Sequence, residues 1–190
     1  FAVDRKFLGT QAFNQFANTK IVNDNSLNQI FEVSPLGKFS SDTEKGNCKI
    51  VASDIACNKY NLPNFEILDV TNYSELANVV IKHRVTHIYH MAAILSSNGE
   101  KNHQLAWDVN MNGLLNVLNV AKNYNINKIF YPSSIAVFAG PFKDGIVFQA
   151  SISTPKTMYG INKLAGENLC NYYHEKFGLD IRSLRYPGII

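Results

Sequence analysis

The sequence predicts an α/β protein built on a doubly wound parallel sheet, and three observations carry the prediction. Short apolar runs alternate with helical segments from Lys49 onward, and that order builds a parallel sheet covered on both faces. Asp54, Asp69, Ala92-Ala93, Ser133-Ser134 and Tyr186 all close predicted strands, and such sheets bind ligands at strand carboxyl ends. Tyr159 and Lys163 stand four residues apart at the head of a predicted helix, which places both on one helix face.

The elements read in order as follows. Residues 1–48 carry Phe7-Leu8-Gly9-Thr10, a short helical pattern at Ala12, Phe13, Phe16 and Ala17, and turn signals at Pro35-Leu36-Gly37; residues 23–47 read as a loop or insertion. Lys49 to Ser53 is a strand ending at Asp54, and Phe65 to Leu68 a second ending at Asp69. Thr71 or Ser74 caps a helix whose apolar face is Leu76, Val79 and Val80. His87 to Met91 is a third strand, running into Ala92-Ala93. One long helix follows, with Leu105, Val109, Leu114, Val117, Leu118 and Ala121 on one side. Lys128 to Tyr131 is a fourth strand, leading into Pro132-Ser133-Ser134. A loop reaches the Tyr159 helix, and Ile181 to Arg185 is a last strand, closed by Tyr186-Pro187-Gly188.

The totals set bounds. At 190 residues the chain can bury one substantial core. A net charge of +3, with no Lys/Arg run, gives no footprint for nucleic acid. No apolar run nears the roughly 18 residues that span a bilayer. Three cysteines, Cys48, Cys57 and Cys170, lack metal-ligand spacing and read as reduced thiols. His83, His87 and His90 make no metal site: the strand histidines point to opposite faces, and no Cys or carboxylate completes a set. The chain opens on Phe1, which reads as a processed product or a fragment, and no secretory signal is visible.

The chemistry gathers at the strand ends. An ammonium beside a phenol favours the phenolate. For a tyrosine to act as a base near neutral pH its pKa must fall by roughly three units, or ~4 kcal/mol. An ordinary exposed helix carrying Tyr and Lys is the bland alternative. Asp54 at the end of the second strand of a dinucleotide-binding fold accepts from ribose hydroxyls and repels a 2′-phosphate, which favours NAD over NADP; it reads equally as a turn aspartate. Asp69 is an adenine contact or a loop acid. Ala92-Ala93 allow a close approach to a cofactor, or simply pack. Ser134 donates to a substrate oxygen, or forms a turn or cap. Asn110 inside the long helix reads as a polar tie to the Tyr159 helix, or as an exposed face.

With those residues in place, the chain resembles the extended short-chain dehydrogenase/reductase family, the NAD-dependent epimerase/dehydratases. The resemblance rests on Ser133-Ser134-Ile135-Ala136-Val137-Phe138, on Tyr159-x-x-x-Lys163 about 25 residues later, and on Asn110-x-x-Gly113. Within the family it is most similar to the short-chain type of L-threonine 3-dehydrogenase, through Ala93-Ile94-Leu95-Ser96, Pro155-Lys156-Thr157-Met158-Tyr159-Gly160 and Leu184-Arg185-Tyr186-Pro187-Gly188-Ile189-Ile190. The resemblance implies a Rossmann-type NAD-binding domain over residues 49–190 and a catalytic set of Ser134, Tyr159 and Lys163. Tyr159 is the base, Lys163 lowers its pKa and holds the nicotinamide ribose, and Ser134 bonds the reacting oxygen. It implies cofactor contacts from Gly9, Asp54, Asp69, Val70, Ala92, Ala93, Asn110, Tyr186 and Ile189, and a substrate contact from Ser96. The reaction implied is oxidation of L-threonine to 2-amino-3-oxobutanoate by NAD, in a homodimer, with mitochondrial residence as in eukaryotic relatives.

Family members open on a glycine-rich turn that cradles the pyrophosphate. Here only Phe7-Leu8-Gly9-Thr10 corresponds to it, about 20 to 25 extra residues precede the second strand, and the chain is expected to stop short of the C-terminal substrate domain that the resemblance implies. The sheet is therefore expected to be incomplete at both ends, and this polypeptide alone to bind NAD poorly and turn over little. Two other readings stay open: a sugar-nucleotide epimerase or dehydratase on the same scaffold, and a non-catalytic nucleotide-binding module.

Overall fold

The computed structural model describes residues 50–58, 62, 64–138, 147–149 and 151–186. The expected segment 1–48, with Gly9, lies outside the described residues, as does the 187–190 stretch with Ile189. The described chain divides after Ile67 into two bodies.

The first body carries β1 (Ala52–Asp54) and β2 (Phe65–Ile67), paired in parallel from Ala52↔Phe65 to Asp54↔Ile67. The link between them is tied by Asn58, which donates to the Leu62 carbonyl and accepts from the Leu62 N–H, both at 2.8 Å. Asn64 turns into β2 with a positive φ of 54°, a conformation asparagine tolerates better than most residues.

The second body holds a parallel sheet of order β3 (His87–Tyr89), β4 (Lys128–Ser134), β5 (Ile181–Tyr186). Register runs from His87↔Lys128 on one side of β4 to Ser134↔Tyr186 on the other. Helix α1 (Tyr73–His83) precedes β3. Its cap is Asn72, not Thr71 or Ser74: the Asn72 side chain accepts from the Ser74 and Glu75 N–H groups, and Glu75 reaches back to accept from the Asn72 amide. This reciprocal arrangement satisfies two orphan donors that a threonine one residue earlier could not reach.

The long helix expected after β3 is present, with a widened turn inside it and a separate helical turn ahead of it. A one-turn α2 (Ser96–Gly99) and a short α3 (His103–Trp107) run into a widened π-turn (Asp108–Asn112) and then α4 (Gly113–Asn123). The widened turn rotates the face on which side chains emerge. Leu105 is accordingly exposed, whereas Leu114, Val117, Leu118 and Ala121 are almost wholly buried. Those four pack with Ile129 and Tyr131 of β4, Leu76 and Val80 of α1, and Tyr173 from α5 (Met158–Phe177). Burying side chains of this size stabilises by ~1.5–3 kcal/mol each, so this cluster anchors α5 and β4 to one another.

Candidate active site

The site forms where β4 ends and α5 begins. Ser134 is the last residue of β4, and its Oγ accepts from the Ala136 N–H at 3.1 Å to close a single 3-10 turn, Ile135–Val137. Helix α5 starts under a double cap. Thr157 Oγ1 accepts from Gly160 N at 3.1 Å, and the Glu100 carboxylate, from the segment after α2, accepts from Met158 N at 2.7 Å. Negative charge and side-chain acceptors at a helix N-terminus satisfy its free N–H groups and its dipole. Gly160 decides how closely the two elements meet. A Cβ there would collide with the Ala136 carbonyl oxygen and approach Pro155 Cβ to 2.9 Å. The bare backbone lets the first turn of α5 press on the turn after Ser134.

That approach brings the Ser134 hydroxyl near enough to the Tyr159 phenol to act on its pKa. The phenol is half-buried, and burial raises its pKa above the ordinary value while the Ser134 hydroxyl pulls it back down. Lys163, one turn on, is only 4% exposed. Its Nζ donates to the Pro132 carbonyl at 2.7 Å and lies 4.8 Å from the Tyr131 ring centroid and 5.5 Å from that of Tyr159. Burial lowers the ammonium to about 8. Burial is therefore the largest influence on the Tyr159 phenol in this arrangement. The ammonium lies by the face of the phenol ring and is tethered to a carbonyl, so desolvation governs the phenol.

His90, just beyond β3, completes the buried floor. Its ring stacks on Tyr131 at 6.3 Å and 16°, and burial, with a smaller push from Lys163, holds it down to about 3, so it is neutral. Asn110 emerges from the π-turn and grips Ile94: its Oδ1 accepts from Ile94 N at 2.7 Å and its Nδ2 donates to Ile94 O at 3.0 Å. The same Nδ2 donates to Asn162 Oδ1 at 3.2 Å. Asn110 is thus a tie between the loop after β3 and α5, and the widened turn is what aims it there.

The remaining expected residues fall as follows. Ala92 is exposed and Ala93 half-buried in the loop after β3, and Ser96 opens α2. Tyr186 ends β5 in register with Ser134, its ring edge-on to Phe130 at 6.4 Å. Asp69 is exposed and closes its own turn, accepting from Thr71 N at 2.9 Å and Thr71 Oγ1 at 2.7 Å. Val70 is buried in the core, and its carbonyl accepts from Asn116. Asp54, in the first body, is exposed at the end of β1 and accepts from Ala56 N at 3.0 Å. Ser134, Tyr159 and Lys163 are drawn together, with Asn110 joined through Asn162. Sequence reasoning passed over Asn162, Glu100, His90's place in the floor, and the Glu167–Arg185 pair. The i, i+4, i+8 spacing of Tyr159, Lys163 and Glu167 was the available signal for the last.

A strand-end serine, a tyrosine and a lysine meet at the carboxyl edge of a parallel sheet, an arrangement able to exchange a proton with a ligand held there. The chain belongs to the NAD dependent epimerase/dehydratase family, which matches residues 36–190. An uncharacterised epimerase/dehydratase of Staphylococcus haemolyticus is 45% identical over 149 residues, 76% of this chain and 46% of that protein. The chain thus spans about half the length of the curated relatives it matches. Among solved structures, L-threonine dehydrogenase from Cupriavidus necator is 43% identical with a TM-score of 0.70, over 73% of this chain and 46% of that one. UDP-glucose 4-epimerase from Thermus thermophilus, in complex with NAD, is 25% identical with a TM-score of 0.69, over 76% and 49%. The fold is the Rossmann-type α/β sheet expected, and NAD is the family's cofactor. No described helix is long and apolar enough to cross a membrane.

Proposed function

We propose that this chain carries the NAD-binding scaffold and acid–base residues of an L-threonine 3-dehydrogenase. The observation that carries the reading is the Ser134–Tyr159–Lys163 set at the junction of β4 and α5. Its weight is increased by 40–47% identity to several L-threonine dehydrogenases of known structure.

The donor chemistry fits a nicotinamide ribose. Lys163 directs one of its three donors to Pro132 O, leaving two that suit ribose hydroxyls. Ala92 presents little bulk at the end of β3. NAD, when bound, supplies the hydride acceptor. Tyr159 takes the proton from the threonine side-chain hydroxyl as the carbon beneath it is oxidised to the ketone of 2-amino-3-oxobutanoate. Ser134 lowers the phenol's pKa from the level burial sets before substrate arrives, and turns its one hydroxyl proton to the reacting oxygen once substrate is bound. Lys163 holds positive charge beside the tyrosinate that must be present before it takes the proton, a stabilisation worth more in a dry site than in water. Asn110 holds the loop that leads to Ser96, the candidate contact for the amino-acid portion.

Asp54, Asp69, Tyr186 and, outside the described residues, Gly9 and Ile189 belong to the same reading as cofactor contacts. So do a 49–190 domain boundary, a homodimer and mitochondrial residence; a similar metagenomic L-threonine 3-dehydrogenase is described as monomeric. The test is a substrate screen of the enzyme produced from its full reading frame, following NADH absorbance with L-threonine and looking for turnover of UDP-sugars. Threonine-dependent NADH that disappears in Tyr159→Phe supports the reading. Epimerisation of a UDP-sugar without threonine oxidation replaces it with the sugar-nucleotide alternative.

A further inference from the structure

Three successive turns of α5 face β4, and the lower two are hydrogen-bonded to it. Tyr159 faces the Ser134 hydroxyl, which acts on its pKa, Lys163 donates to Pro132 O, and Glu167 accepts from Ser133 Oγ at 2.5 Å. Tyr159, Lys163 and Glu167 are i, i+4 and i+8, one face spanning ~12 Å of helix. Between the last two rungs Gly166 lies directly on Tyr131, with no room for a Cβ, so helix and strand are in close contact there.

The lowest rung is locked from a third element. Arg185 of β5 grips Glu167 with two prongs, Nε to Oε1 at 2.8 Å and Nη2 to Oε2 at 2.7 Å. The pair is only 17% and 14% exposed. Arg185 Nη1 also donates to Gln149 O at 3.2 Å, and its guanidinium lies 4.8 Å over the Phe138 ring. One guanidinium therefore touches α5, β5 and both described ends of the β4–α5 connection. Burial pushes the Glu167 carboxyl up, but hydrogen bonds from Arg185 and Ser133 outweigh it and leave it below the ordinary carboxylate value. It stays charged and able to hold both partners.

We infer that Glu167, locked by Arg185, is a positioning residue that sets the height of α5 along β4 and so brings the Tyr159 phenol onto the Ser134 hydroxyl. Ser133 is the neighbour of Ser134, and Glu167 shares Tyr159's face two turns away. A slip of about 1 Å at this rung is carried rigidly to the phenol, and a displacement of that size is enough to cost ~10²-fold in rate. The inference rests on the reading of Tyr159 as the base, yet its test needs no turnover.

The protein is labelled with 13C at the hydroxyl-bearing ring carbon of tyrosine, and Tyr159 is assigned by the signal lost in Tyr159→Phe. The difference between wild type and Ser134→Ala measures the influence of the Ser134 hydroxyl on the phenol, whose loss shifts the Tyr159 titration to higher pH. Glu167→Gln is expected to move both the neutral-pH signal and the titration midpoint toward the Ser134→Ala values. Adding Ser134→Ala to Glu167→Gln is expected to add nothing further, because the Ser134 influence is already lost. Ser133→Ala, which removes a single hydroxyl and keeps the ion pair, is expected to shift the signal the same way by less, and it serves where Glu167→Gln does not fold. A lowered melting temperature with the Tyr159 signal unmoved in folded Glu167→Gln, or unmoved in Ser133→Ala where that variant stands in, overturns the inference: the pair is then structural only. A wild-type enzyme without threonine turnover overturns the proposed function and leaves this result standing.

Discussion

Gly160→Ala isolates the close approach on which the site depends. The added methyl would collide with the Ala136 carbonyl oxygen and lie 2.9 Å from Pro155 Cβ. Ordinary carbon contacts begin near ~3.5 Å, so the first turn of α5 must lift by about 1 Å. A backbone carbonyl cannot swing aside as a flexible side-chain tip would. Overpacking of this kind costs ~1–3 kcal/mol. Alanine recovers up to ~1 kcal/mol of that through its better helix propensity, which leaves a net destabilisation of about 0–2 kcal/mol. Activity faces a harsher test. Tyr159 adjoins the lifted residue, and a misplacement of about 1 Å costs ~10²-fold in kcat/KM, equivalent to ~2.7 kcal/mol of transition-state stabilisation. The expected signature is a small fall in Tm with a large fall in threonine-dependent NADH formation. Thermal unfolding and steady-state kinetics on the same preparation read both. A variant that keeps activity within about twofold would refute the claim that this contact sets the geometry.

Further predictions address the individual groups. Tyr159→Phe is expected to lower kcat by ~10²–10⁴-fold with the fold intact, as loss of a general base does; circular dichroism confirms the fold. His90 takes up a proton near 6.5 when unfolded but only near about 3 when folded. The unfolded state thus binds more protons between those values, and stability falls as pH drops through that window, at up to ~1.4 kcal/mol per pH unit; His90→Gln is expected to flatten the slope of denaturant midpoint against pH. Lys163 titrates from 10.5 down to about 8 on folding. The unfolded state again holds the extra proton, so this residue makes stability rise as pH climbs from 8 to 10.5, and Lys163→Met is expected to remove that rise along with turnover. Asn162→Ala is expected to destabilise by ~1–3 kcal/mol, because it takes an acceptor from the buried Asn110 amide; urea unfolding measures it.

Much of this was legible in the chain. The parallel α/β class followed from alternation alone, because strand and helix periods differ and their order admits few architectures. Ser134, Tyr159 and Lys163 were legible because a four-residue spacing and a strand end each fix where a side chain emerges. The cap of α1 was misplaced by one residue, since Thr71, Asn72 and Ser74 are all competent and only backbone geometry chooses among them. The π-turn at Asp108–Asn112 left no trace in the apolar pattern, because a one-residue widening of a helix is invisible to periodicity read across a dozen residues.

What the sequence determined by itself was the inventory of groups and their local direction: a phenol and an ammonium on one helix face, a hydroxyl at a strand end. What only the tertiary structure decided was the electrostatics among them. Lys163 turned out to lie along the phenol ring with its ammonium donating to Pro132 O, while burial, opposed by Ser134, sets the phenol's pKa. The reason is physical. Position along a helix is a short-range property, whereas desolvation and the choice of hydrogen-bond partner depend on residues distant in the chain, which no spacing encodes.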